Sequence, residues 1–319
     1  MSASPPSVTT VKHYVPRALL PPVIHTDSVE PMPLEGFRSH HHPLGGYLNP
    51  GGINKLLRMH RYDQVQLTHD VQEFSSSISE MQLTFNTDDE EDLTICVDGV
   101  NDEFPPGQSK HSKRIIIQQR LLESDEDVSR RTQHTILMTA SSIYHKLFPA
   151  TPPEWRFRRH RVLGVLPQYF HAYIFGDWEL KEGAVAVFVV PPWYLAPQDM
   201  EDFVNTRSFK ALPITGESSP SVDQKRQHYW AMIDNVCYNN QIRHFAVTTY
   251  EQWVFGCLSD DWKDASISEI RGHRACSPTI LETLLFWMRC GLGNEPGMRP
   301  SEDLFWGDPK VVHEISSLY

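Results

Sequence analysis

The sequence predicts an α+β protein, a mixed central sheet flanked by helices, and three patterns predict it. Ile136, Leu137, Ala140, Ile143, Tyr144, Leu147 and Phe148 recur at helical spacing. Residues 161–166, 169–175 and 184–190 form successive strand-like runs between turn residues. The helical period returns over 221–239, ahead of a strand pair. With 319 residues, 40% of them hydrophobic and 11% aromatic, the chain holds enough apolar matter for a substantial core.

Residues 1–53 carry many prolines, the run His40-His41-His42 and Gly45-Gly46, with no helical or strand period, and predict a flexible or surface-draped arm. Three adjacent histidines on such an arm do not converge on one ion, so the run reads as a solvated tract. Residues 54–292 are expected to form a single α/β domain with its clearest core at 130–292, and 293–319 a polar, proline-rich tail. A short helix is expected near 55–62, with strands at 81–85 and 93–97. Between those strands the acidic run Asp88 to Asp92 lacks the glycine and terminal glutamate of a calcium loop, and reads as a solvated hairpin tip. Pro105-Pro106-Gly107 marks a linker, and Ile115-Ile116-Ile117 a short buried strand.

The core elements follow in order. An amphipathic helix over 130–148 ends before Pro152-Pro153. Turns at Pro167-Gln168 and Gly176-Asp177 separate the three strands, and the third, 184–190, is apolar throughout, as a strand covered on both faces must be. Pro197 opens a short helix to about 206. The helix over 221–239 buries Val222, Tyr229, Met232, Ile233, Val236 and Cys237. Strands at 244–250 and 253–259 pair around Glu251-Gln252, and 265–270 adds another. Ser277-Pro278 reads as a cap and first helical position for a helix carrying Ile280, Leu281, Leu284, Leu285, Trp287 and Met288, which Gly291 ends.

Composition excludes several functions. A formal charge of −11 disfavours a protein that coats nucleic acid or an anionic membrane, although a local basic patch escapes that argument. The five cysteines are odd in number and widely spread, which predicts a reducing, cytoplasmic or nuclear setting and no zinc knuckle. The opening residues lack a secretory pattern, and no apolar run approaches the roughly 20 residues that span a bilayer. No glycine pattern for a dinucleotide or triphosphate occurs, nor a zinc-hydrolase, deaminase or serine-hydrolase signature, so no cofactor is expected. Cys237, Cys257 and Cys290 fall on apolar faces, and Cys276, near His273, lies just before a helix. Arg156, Arg158, Arg159, His160 and Arg161, interleaved with Trp155 and Phe157, form the best candidate surface. Guanidinium groups grip phosphate while aromatic rings stack on bases. A loop entering a strand needs solvated residues too, and the 40 acidic side chains supply ordinary partners for them.

Val189-Val190-Pro191-Pro192-Trp193, His244 to Tyr250 with Trp253-Val254-Phe255-Gly256, and Ser277-Pro278-Thr279 leading to Glu282 and Trp287 resemble a multi-copy protein family of mushroom-forming (basidiomycete) fungi that brings no known activity with it. The order of elements is similar to the restriction-endonuclease-like, PD-(D/E)XK core, which runs α-β-β-β-α-β. That resemblance implies an aspartate on one strand and a glutamate and a lysine two apart on the next, holding divalent ions. Asp177 stands for the first, but residues 184–190 offer neither oxygen ligand nor cation. The expectation is therefore a non-enzymatic regulatory or interaction protein on a nuclease-like core without its catalytic residues, with a protein partner foremost. The alternatives are an enzyme of unrecognised class, such as one of fungal secondary metabolism, with a pocket lined by Trp193, Tyr250 and Trp253, and a nucleic-acid binder acting through the arginines at 156, 158, 159 and 161.

Overall fold

The computed structural model describes residues 7–21, 23–25, 58–85, 121–160, 169–177, 182–206 and 222–293. The chain opens with β1 (Ser7–Thr10), α1 (Val11–Tyr14), a tight turn at Val15–Arg17 and β2 (Ile24–His25). Next come β3 (Arg58–Arg61), α2 (Gln64–Ser77), β4 (Gln82–Phe85) and β5 (Leu121–Leu122). One long helical rod follows: α3 (Asp125–Thr132), a π turn at Gln133–Leu137 and α4 (Met138–Leu147). Then β6 (Arg156–His160), β7 (His171–Asp177), β8 (Glu182–Val189), α5 (Pro197–Val204) and α6 (Val222–Asn239) lead to β9 (His244–Thr248). The described chain closes with β10 (Gln252–Leu258), β11 (Asp264–Ile267), β12 (Arg271–Gly272) and α7 (Ile280–Gly291).

The main sheet has eight strands, ordered β3-β11-β10-β9-β8-β7-β6 with β12 beside β10. It is mixed: β6, β7 and β8 form an antiparallel meander, β8 and β9 run parallel across the α5–α6 crossover, and β11 and β3 are parallel. The predicted class and the order helix, three strands, helices, strand are both present. Alternation assigns the two faces. Tyr173, Phe175, Val185, Val187, Val189, Ala246, Trp253 and Phe255 join one core, with residues of α2, α3, α4 and α7. Ala172, Ala186, Phe188, Phe245, Val247 and Val254 join the other, against Phe203 of α5 and Trp230, Ile233 and Cys237 of α6. Trp230 stacks on Phe203 at 4.6 Å and meets Phe245 edge-on at 5.6 Å. On the opposite face Trp287 Nε1 donates to the Gly256 carbonyl at 3.0 Å, fixing α7 over β10.

Several expectations are corrected. Residues near 55–62 contain the strand β3, whose pairing with β11 overrides any local helical tendency, and the helix begins only after Asp63. Asp63 accepts from the amides of Val65 and Gln66, and Leu67, Val71 and Phe74 form the buried stripe of α2, a helix the sequence reading passed over. The rod containing α3 begins at Asp125, because Ser124 caps it and Asp125, Glu126 and Asp127 fill its first turn. A strand at Arg156–His160 precedes β7 in the meander, so Arg156, Arg158 and Arg159 lie on a strand and not in a loop. Residues 161–168 fall outside the described chain. Thr279, not Ser277, caps α7: its hydroxyl accepts from Glu282 N at 3.1 Å while the Glu282 carboxylate accepts from Thr279 N at 2.7 Å. Part of the stretch read as an arm is packed, with Val11, Tyr14, Val15, Ala18 and Leu20 buried in the first core and β1 paired with β4. The histidine run at 40–42, the acidic run at 88–92, and the expected strands at 93–97 and 115–117 lie outside the described residues. No helix among the described residues is long and apolar enough to cross a membrane.

Gly291 ends α7 where a Cβ would sit 2.1 Å from the carbonyl oxygen of Ala184, whereas a Cβ on Gly272 meets nothing within 4 Å. Backbone cannot yield as a side chain can. Gly291→Ala is expected to cost about 2 kcal/mol or more and Gly272→Ala almost nothing, as read by urea unfolding.

Candidate functional site

The site is a polar seam along α3, at the end of the sheet where the parallel strands β8 and β9 finish. Open α/β sheets gather functional groups beyond the carboxyl ends of their parallel strands. The helix presents Asp125, Glu126, Ser129 and Arg131, and each meets a different element. Trp193, four residues after β8, donates from Nε1 to Asp125 Oδ1 at 3.0 Å. Arg159 of β6 pairs with Glu126 at 2.8 Å and donates from Nη2 to His171 Nδ1 on β7. Ser129 Oγ lies 2.6 Å from the hydroxyl of Tyr173, also on β7. Arg131 Nε donates to the Tyr250 hydroxyl at 3.4 Å, and that hydroxyl donates to the Pro21 carbonyl at 3.0 Å. Below it Trp253 Nε1 donates to the Tyr250 carbonyl at 2.9 Å.

Local backbone shapes this end of the sheet. Tyr250 sits at φ 76°, in the left-handed region that a bulky residue occupies only under constraint, where the β9–β10 connection turns. Its amide donates to Thr248 Oγ1 at 2.8 Å, and its ring is fully buried. The π turn in the rod begins two residues after Arg131, and Thr132, Thr135 and Thr139 bond back to carbonyls one turn earlier.

Burial sets the electrostatics. His171 is only 4% exposed, and desolvation, followed by the charge of Arg159, pulls its pKa down to about 4. Its Nδ1 accepts from a guanidinium, so the neutral ring carries its proton on Nε2. Burial pushes the Asp125 carboxyl up, and the Trp193 hydrogen bond opposes it. Burial also raises the hydroxyls of Tyr173 and Tyr250, the latter against the pull of Arg131. The arrangement supplies a neutral buried imidazole, a half-buried carboxyl and a buried guanidinium, each engaged by a neighbour in the fold.

The structure divides the arginine cluster. Arg159 points to the seam, while Arg156 and Arg158, on the opposite face of β6, are exposed and pair with no carboxylate among the described residues. Arg161 lies outside the described residues. Of the aromatic trio, half-buried Trp193 and fully buried Tyr250 meet the seam, and Trp253 is closed in the core beneath them. The rings of Tyr250 and Trp253 are both fully buried. Sequence reasoning missed Asp125, Glu126, Ser129, Arg131, His171 and Tyr173. The pattern Ser124-x-x-Asp127, a cap followed by three acids, was the available signal for the first of these. On α2, His69, Asp70 and Glu73 hold donor atoms within 4.8 Å of one another on an open surface, and Gln66 already donates to Asp70. Such a group of exposed side chains is ordinary on a helix.

The fold and seam define an α+β protein with helices flanking a mixed sheet. No family model, curated protein or solved structure matches the chain.

His171 gives the seam a pH signature. A folded-state pKa depressed below the unfolded value of about 6.5 means that the unfolded chain binds more protons between the two values. The contribution of His171 is therefore complete above about pH 6.5 and is lost as pH falls toward 4. A drop from about 6.5 to about 4 corresponds to on the order of 3 kcal/mol. Urea midpoints of wild type are expected to fall across this window, and those of His171→Asn to fall less steeply.

Proposed function

We propose that this chain is a non-enzymatic interaction or regulatory protein, built on a core arranged like the restriction-endonuclease-like domain but without its metal-holding residues. One observation carries the reading. Residues 184–190, on β8 and just past it, stand where that domain places a glutamate and a lysine two apart, and here they are alanine, valine and phenylalanine, each at most 2% exposed. A cation held there would face hydrocarbon on both sides, at a desolvation cost that no ligand offsets. The topology supports the same reading: an antiparallel meander, a helical crossover and a fourth strand parallel to the third. In the strand register Asp177 ends β7 opposite Glu182. The full chain incubated with DNA or RNA and magnesium or manganese is expected to leave the substrate intact. Metal-dependent cleavage that disappears in Asp177→Ala would overturn the proposal.

A second reading, binding to single-stranded nucleic acid, is favoured by the exposure of Arg156 and Arg158 side by side on β6, free of carboxylates among the described residues. Phosphate contacts through these groups require affinity that falls steeply with salt. Under this reading Arg156→Glu with Arg158→Glu abolishes binding to a labelled oligonucleotide, while Arg159→Glu perturbs stability through Glu126 and His171. Equal binding by the double variant and wild type would remove this reading.

A further inference from the structure

Away from the seam, the N-terminal segment Val11 to Pro16 lies along α2, and the two enclose a groove of about 410 Å³ that reaches the first turn of α7. That volume lies in the range of small-molecule sites. Val11, Val15 and Pro16 give it an apolar wall, and Ser75, Ser76 and Glu282 give it polar groups.

Glu282 is 7% exposed. Its Oε2 accepts from the amide and the hydroxyl of Thr279, at 2.7 and 3.0 Å, and its Oε1 accepts from no group among the described residues. Ser75 Oγ is buried in the groove with no hydrogen-bond partner. Ser76 spends its proton on the Gln72 carbonyl at 2.8 Å, which leaves its oxygen able to accept. Of the two cations nearby, Lys12 at the rim binds Glu80 at 2.8 Å, and Arg271 donates to the Pro278 carbonyl and Thr68 Oγ1, makes no hydrogen bond to Glu282 and acts on it only through its charge. The groove therefore offers a carboxylate oxygen that accepts no hydrogen bond among the described residues, and hydroxyl oxygens, beside an apolar wall. An N–H donor brought to such a carboxylate oxygen forms a charge-assisted hydrogen bond, which a neutral or anionic ligand cannot match.

We propose that this groove binds a small aliphatic ammonium ion, its charged head between Glu282 Oε1 and Ser75 Oγ and its alkyl stem against Val15 and Pro16. The proposal stands independently of the nuclease-like reading of the core.

The test is ligand-observed NMR on the full chain with n-butylammonium chloride, against n-butanol and sodium butyrate as isosteric controls. Saturable binding of the ammonium is expected at millimolar concentration, with neither control binding in that range. Glu282→Gln retains the cap of α7, because an amide oxygen at this position accepts the same bonds, and is expected to weaken binding by about tenfold or more with unfolding still cooperative. Ser75→Val leaves the carboxylate in place, removes the hydroxyl that faces the charged head, and is expected to weaken binding by about tenfold or more. It decides the matter should the first variant fail to fold. Absence of saturable binding to wild type, butanol binding as well as the ammonium, or unchanged binding in the folded variants would each overturn the proposal.

Discussion

Everything in this molecule hangs on the parallel pairing of β8 with β9 in the middle of the sheet. Two layers of helix cover the sheet, so these strands have no face to give to water. Every side chain from Ala184 to Val190 and from Phe245 to Val247 is at most 2% exposed. Apolar area removed from water on both faces is the main stabilising term available here, at about 25 cal/mol per Å². The arrangement also fixes register, because a slip by one residue would exchange the cores that Val187 and Phe188 enter. The helices are then held by direct locks: Trp287 on the Gly256 carbonyl, Gly291 against Ala184, and Trp230 between Phe203 and Phe245.

The polar seam is the counterpart of that apolar spine. The strands stop where their carbonyls and the following connections must be satisfied, and α3 arrives there carrying groups that satisfy them. Each interaction is modest alone, and the Arg159–Glu126 pair in particular is half in water, where ion pairs contribute about 1 kcal/mol or less. Together they bind segments far apart in sequence: Pro21, the rod at 125–135, Arg159, His171, Trp193 and Tyr250. Buried Arg131 and His171 carry the higher stakes, because a polar group left alone at such depth loses its hydration without recompense.

Much of this was legible in the sequence. The apolar run at 184–190, the hairpin carrying Trp253 and the stripes of α6 and α7 are strong periodic signals, since burial dictates side-chain type there. Edges were harder. Both outermost strands, β3 and β6, carry arginine and histidine where inner strands carry valine, so composition argued for loop or helix while pairing imposed strand. Helix α2 was legible in principle from Asp63 and the spacing of Leu67, Val71 and Phe74, but its many serines and glutamines obscured the stripe. The seam was only half legible. Its aromatic and arginine members stood out singly, yet their convergence on α3 depends on tertiary contacts between residues up to 229 positions apart.

The arginines of β6 have one more consequence. An outer strand offers a row of amides and carbonyls to any extended chain that drifts past. Here the Phe157 amide is already bonded to Ser141 Oγ of α4 at 3.3 Å, and Arg156 and Arg158 stand out from the strand on either side of it. A second molecule presenting the same rim would bring positive charge against positive charge and find that donor already spent. The outer strand is thus guarded against self-templated polymerisation, while an acidic or anionic visitor meets no such barrier.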